Sequence, residues 1–135
     1  MLKVVIDTNV LVSGILKPDG WEAAVLDLIT EGKLVWCTSE PILHEYQRVL
    51  VTKLRLSPIA VQYYLLLAKA GPFFVPDTRL AESPDESDNR FYECAHAARA
   101  DYLITGNLKD FPSPHGHTKI VNARQFVELL EHAQS

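Results

Sequence analysis

The sequence predicts an α/β protein with three layers, α/β/α, around a central and mainly parallel sheet of four or five strands. Three observations point there. Leu2–Ile6 is an apolar, β-branched run with the length of a fully buried strand. Short apolar runs recur at Leu34–Cys37, Phe73–Val75, Asp101–Thr105 and Lys119–Val121. Between most of them lie longer segments of helical periodicity, and strands alternating with helices build a layered α/β fold. At 135 residues the chain is expected to be one domain, spanning 1–135.

The elements follow in order. After Asp7 the pattern turns helical through Val10, Leu11 and Ile15, and Pro18-Asp19-Gly20 breaks it. Trp21–Thr30 is a second helix, with Trp21, Val25, Leu28 and Ile29 on one face and Gly32 past its end. Leu34–Cys37 is a short buried strand. Ser39 is the expected cap of a third helix with proline in its first turn, running to about Thr52. Ile42, Leu43, Tyr46, Val49 and Leu50 form its apolar stripe, and Glu45 sits on the shoulder of that stripe. Ser57-Pro58 opens a fourth helix, rich in leucine and aromatics, which reads as core or as a dimer surface. Residues 77–87 form a polar loop carrying four acids, Asp77, Glu82, Asp85 and Glu86. This loop delivers a fifth helix from Ser87, with Asp88 at its start and Phe91, Tyr92, Ala95 and Ala98 along one face. Asp101–Thr105 follows directly on a helix, so a parallel crossover is expected. After a last strand, Asn122 and Gln125 have the spacing of a capping box.

Composition narrows the class. Hydrophobic residues make up 47% and charged residues 22%, as in ordinary globular proteins. No apolar run reaches the length of a membrane span. Asp7 and Asn9 interrupt what would be the core of a signal peptide, so a cytosolic protein is expected. Cys37 and Cys94 lack metal-type spacing and read as buried reduced thiols. The net charge of −4 argues against a broad electrostatic grip on nucleic acid, unless carboxylates share one site with divalent cations that invert the local field.

Chemistry-bearing residues collect where strands end. Asp7 follows the first strand, and ligand sites in open α/β sheets form beyond the carboxyl ends of strands. Asp110 lies in Gly106–Pro112, beyond another strand end, and Asp88 starts a helix on its apolar face, costly for an unpaired carboxylate. Each has a plain alternative. Asp7 can close a strand, Glu45 can pair with Arg48, Asp88 can serve the helix dipole, and Asp110 can sit in an idle polar loop. Converging acids would repel unless cations held them, and an all-oxygen set favours Mg²⁺ or Mn²⁺ over zinc. His115 and His117, two apart in a loose turn, are weak metal evidence.

The motifs Val5-Ile6-Asp7-Thr8-Asn9-Val10-Leu11, Asp88-Asn89-Arg90-Phe91 and Thr105-Gly106-Asn107-Leu108-Lys109-Asp110-Phe111, with Glu45 in a mid-chain helix, resemble the PIN domain family in the same order across the whole chain. The resemblance is closest to small single-domain PIN proteins that are toxins of toxin–antitoxin pairs, including the VapC type. It implies a Mg²⁺- or Mn²⁺-dependent endoribonuclease acting on single-stranded RNA in the cytoplasm. Asp7 and Asp88 would be main metal ligands, Glu45 would complete the set, and Asp110 would bind a second ion or orient water. Thr8, Asn9, Thr105 and Asn107 would be donors that fix the carboxylates. Many relatives carry an acid at the position of Asn107, and here Asp110 takes that part. Arg48, Lys53, Arg55 and Lys109 would steer the RNA backbone. Tyr92 or Phe111 would stack a base or else pack in the core. A cognate antitoxin and a homodimer are the expected protein partners.

Three other readings compete. A haloacid-dehalogenase phosphatase also opens with a strand ending in Asp, but needs a second Asp where Asn9 stands. A Rossmann nucleotide binder would need a glycine-rich loop after the first strand. A PIN-like module that binds RNA or antitoxin without cleaving is the third.

Overall fold

The structure is a computed structural model that describes residues 1–134. Four parallel strands form the central sheet: β1 (Leu2–Ile6), β2 (Leu34–Trp36), β5 (Tyr102–Ile104) and β6 (Lys119–Val121), in the order β2-β1-β5-β6. A parallel sheet covered on both faces wants continuous apolar strands. Accordingly Val4, Val5 and Ile6 of β1 are fully buried, with β2 and β5 on either side. The helices are α1 (Thr8–Leu16), α2 (Trp21–Thr30), α3 (Glu40–Thr52), α4 (Pro58–Lys69), α5 (Asn89–Ala98) and α6 (Ala123–Gln134). They flank the sheet in two groups: α2 packs with α1 and α6, and α3 with α4 and α5. This is the α/β/α architecture the sequence predicts.

Local signals set several boundaries. The Ser57 hydroxyl accepts from Ala60 N at 3.2 Å to start α4. Asn122 and Gln125 form the reciprocal capping box at α6, each side chain accepting from the other's backbone N–H at 2.8 and 2.9 Å. Trp36, Tyr46, Phe91, Tyr92 and Phe126 are the largest fully buried side chains. Cys37 and Cys94 are free and buried, and burial pushes their thiols up to about 11 and about 12.

Three expectations change. The run at Phe73–Val75 does not join the central sheet. β4 (Phe73–Phe74) pairs instead with β3 (Thr38–Ser39) in a separate two-stranded parallel sheet, and Val75 is exposed. The backbone at Gly71 runs hard against β2, so close that a Cβ there would meet the Trp36 carbonyl oxygen at 2.2 Å. Ser39 occupies the N-cap position of α3 without a capping hydrogen bond from its side chain. Finally, α5 begins at Asn89, after a 3₁₀ turn over Glu86–Asp88. The buried Asn89 side chain reaches back to accept from Ser83 N at 2.8 Å, which tightens the entry.

Candidate metal centre

Asp7 is the first residue past β1, and its backbone N–H still donates to the Ile104 carbonyl at 2.9 Å. Thr105 is the first residue past β5, the next strand over. Parallel strands in register place these two side by side on the carboxyl edge of the sheet. The Thr105 hydroxyl donates to Asp7 Oδ2 at 2.7 Å and in turn accepts from Asn107 N at 3.0 Å. Helix α3 is pinned to the same edge: the buried Tyr46 hydroxyl donates to the Ile6 carbonyl. That anchor presents Glu45, one residue earlier, to the start of α1, where the Thr8 hydroxyl donates to Glu45 Oε2.

The far wall comes from the two 3₁₀ turns. Asp85 lies just ahead of the turn that ends in Asp88, and Asp110 closes the second turn, Leu108–Asp110. One carboxylate oxygen from each of Asp85, Asp88 and Asp110 lies within 4.8 Å of the others. Asn107 Nδ2 donates to Asp110 Oδ2 at 2.6 Å. An open cleft of about 420 Å³ therefore carries five carboxylates: Asp7, Glu45, Asp85, Asp88 and Asp110. Val12, Val49 and Leu54 supply apolar wall, and Arg48 and Lys53 also line it.

The electrostatics follow from this crowding. Burial pushes Asp7 up to about 6; the Thr105 and Thr8 hydrogen bonds resist, and the charges of Glu45 and Asp110 add to the rise. Asp88 is pushed up to about 8, chiefly by burial, then by the charges of Asp7 and Asp85 and by contact with Asp110. Such carboxylates take up protons in the absence of another cation. A divalent ion answers the same excess charge, and an all-carboxylate donor set suits the hard, oxygen-seeking ions Mg²⁺ and Mn²⁺. The residues present fit such an ion.

The four acids singled out in the sequence, Asp7, Glu45, Asp88 and Asp110, share this one cleft. Thr8, Thr105 and Asn107 each donate to one of them. Asn9 differs from the expected donor: its Oδ1 accepts from Gly106 N at 3.1 Å and braces the turn after β5. Of the four expected RNA-steering cations, Arg48 and Lys53 line the cleft, while Arg55 and Lys109 are exposed outside its lining. Tyr92 and Phe111 are buried with ring centroids 5.3 Å apart, and the Tyr92 hydroxyl donates to Ser113 O. They are core residues and offer no face to a base. Asp85 is the member that the sequence does not announce. Taking 87–89 as the first turn of an α-helix leaves Asp85 in a loop. Asp88 N donates to Asp85 O at 3.0 Å across the 3₁₀ turn, and that tight closure brings the two carboxylates to the same side of the cleft.

Among the described residues no helix is long and apolar enough to cross a membrane. The chain matches the PIN domain across residues 3–109, a span that includes Asp7, Glu45, Asp85 and Asp88 and stops one residue short of Asp110. It is also 32% identical to an uncharacterized protein of Methanocaldococcus jannaschii, over 96% of this chain and 92% of that relative. With most of its length matched and its acids gathered at the carboxyl edge of the sheet, the chain belongs to the PIN domain family, a family of nuclease type.

Proposed function

We propose that this protein is a Mg²⁺- or Mn²⁺-dependent endoribonuclease that hydrolyses phosphodiester bonds of single-stranded RNA, and that it is the toxin of a toxin–antitoxin pair in the cytoplasm. The observation that carries the proposal is the convergence of five carboxylates on one cleft, with Asp7 and Asp88 held far above their ordinary titration range. Asp7 and Asp88 would hold the cation, Glu45 would complete its shell, and Asp110 with Asp85 would hold a second ion or orient a water. When bound there, such an ion would supply Lewis-acid chemistry for water activation and for the charge on the leaving oxygen. Thr8, Thr105 and Asn107 hold three of the carboxylates in place, so little reorganisation is needed as charge develops. Arg48 and Lys53 hold the flanking phosphates.

The test is RNA cleavage by purified protein with Mn²⁺, with EDTA and as the Asp7→Asn variant, side by side. Cleavage with Mn²⁺ alone, lost in the other two arms, supports the proposal; cleavage that survives Asp7→Asn refutes the role of Asp7. A second reading, a module that binds RNA or an antitoxin without cleaving, draws support from the apolar side chains Ile59, Tyr63 and Leu66 left exposed on α4. The same face suits a homodimer. Inert protein that still retains RNA, or that changes size only with a partner present, favours this second reading.

A further inference from the structure

A second cluster of metal-ligating side chains lies apart from the acidic cleft. His115 sits on a small hairpin after Asp110, closed by paired backbone bonds between His115 and Thr118 and turned at Gly116, whose φ of +54° suits glycine. Both flanks of this hairpin are pinned. The Tyr92 hydroxyl donates to Ser113 O at 2.7 Å, and the Thr118 hydroxyl donates to Ala100 O at 2.6 Å. The partly buried His115 ring lies between two partners: Nδ1 is 2.6 Å from Glu82 Oε1, and Nε2 is 2.9 Å from Nδ1 of His96 on α5. Glu82 is held by its neighbour Ser83, whose N–H donates to the buried Asn89 side chain. Spacing along the chain sets His115 beside His117. In the fold His117 turns to Asp101 at 2.7 Å, and His96, nineteen positions away in the chain, takes its place.

We infer that His96 Nδ1 and His115 Nε2 form a binding site for a divalent late transition metal such as Ni²⁺, Cu²⁺ or Zn²⁺, with Glu82 orienting His115 from behind. The carboxylate of Glu82 can only accept, so the proton of a neutral His115 lies on Nδ1; its Nε2 then accepts from Nδ1–H of His96, and an ion entering between the two rings takes the place of that proton, which moves to Nε2 of His96. A metal-ligating imidazole backed by a carboxylate on its other nitrogen is the arrangement that fixes tautomer and raises ligand basicity. Nitrogens 2.9 Å apart, each about 2.05 Å from an ion, subtend roughly 90° at it, the cis angle of tetragonal Cu²⁺ or Ni²⁺ sites. Zinc needs the pair to part by a few tenths of an ångström, which exposed His96 allows. His115 lies beyond residues 3–109 that match the family. Two imidazoles select borderline metals and leave Mg²⁺ to the carboxylates, so the two sites differ in chemistry and this one does not depend on the ribonuclease reading. Its occupation ties α5, the loop leading to Asp85 and the hairpin after Asp110 into one unit.

Isothermal titration of the full chain with Ni²⁺ and with Zn²⁺, with Mg²⁺ in excess to fill the acidic cleft, tests this. The expected result is one equivalent bound, weakened at least about tenfold by His96→Ala and by His115→Ala, and about 10–100-fold by Glu82→Gln. His96 is exposed, so His96→Ala keeps its fold and serves even where His115→Ala is damaged; unchanged circular dichroism establishes this. No binding by the parent chain, or binding left intact by His96→Ala, overturns the inference.

Discussion

Asp7→Asn should make the metal-free protein more stable while removing its activity. Asp7 titrates near 6 in the fold against 3.8 for a free aspartate, mainly because it is buried. Keeping it ionised at pH 8 then costs the fold about 3 kcal/mol, at about 1.4 kcal/mol per pH unit. The sign follows from a folded value above the unfolded one. Well below about pH 4 the carboxyl is protonated in both states and there is no penalty. Stability falls as pH rises from about 4 to about 6, and the loss is complete above that. Asparagine has nearly the same shape, does not titrate, and still accepts the Thr105 hydroxyl through its amide oxygen. In EDTA at pH 8 the variant should therefore gain up to about 3 kcal/mol, roughly 10 °C in Tm for a chain of this size. At pH 4 the gain should shrink to about 0.6 kcal/mol, because the unfolded carboxyl is still partly ionised there. Mn²⁺ at about 1,000 times its Kd should reverse the ranking, because a ligand at that excess adds about 4.1 kcal/mol to whichever protein binds it, more than the Asp7 penalty. Urea unfolding at the two pH values, with EDTA and with Mn²⁺, measures every arm. A variant no more stable than the parent at pH 8 in EDTA, or equally stabilised at pH 4, would refute the account of Asp7 as a destabilised carboxylate kept for a cation.

Asp85→Asn should weaken Mn²⁺ binding about tenfold while its Ser87 hydrogen bonds hold the turn, read by Mn²⁺ titration; unaltered affinity removes Asp85 from the site. Arg48→Ala combined with Lys53→Ala should raise the RNA KM with kcat little changed and flatten the salt dependence of binding, by a slope of about 0.7 for each phosphate no longer neutralised. An unchanged salt slope would place the RNA elsewhere. Gly71→Ala should lower the urea midpoint by about 1–3 kcal/mol in stability, because its Cβ would lie 2.2 Å from a backbone oxygen that cannot step aside.

Residue order alone is enough for features whose causes are local. The β-branched run of β1, the Ser57 cap and the Asn122–Gln125 box depend on neighbours a few residues apart, and periodicity exposes them. The positions of Asp7 and Asp110 past strand ends and of Glu45 on a helix shoulder are legible for the same reason, whereas Asp88 ends a 3₁₀ turn ahead of α5 instead of opening that helix. Ser39 shows the limit: it has the residue type and place of a cap, yet its side chain makes no cap bond. Asp85 escapes notice because a 3₁₀ turn and the first turn of an α-helix look alike over three residues.

What the fold alone decides concerns partners far apart in the chain. Thr105 meets Asp7 across 98 positions, and His115 meets His96 across 19, because strand register and helix packing bring their backbones together. The same packing sends Tyr92 and Phe111 to the core and splits Phe73–Phe74 from the main sheet. Sequence determines which side chains are available and how each is mounted on its own element. Tertiary structure determines which of them share one cleft, and burial there together with the charges of the neighbouring acids is what raises Asp7 and Asp88 above the ordinary carboxylate range.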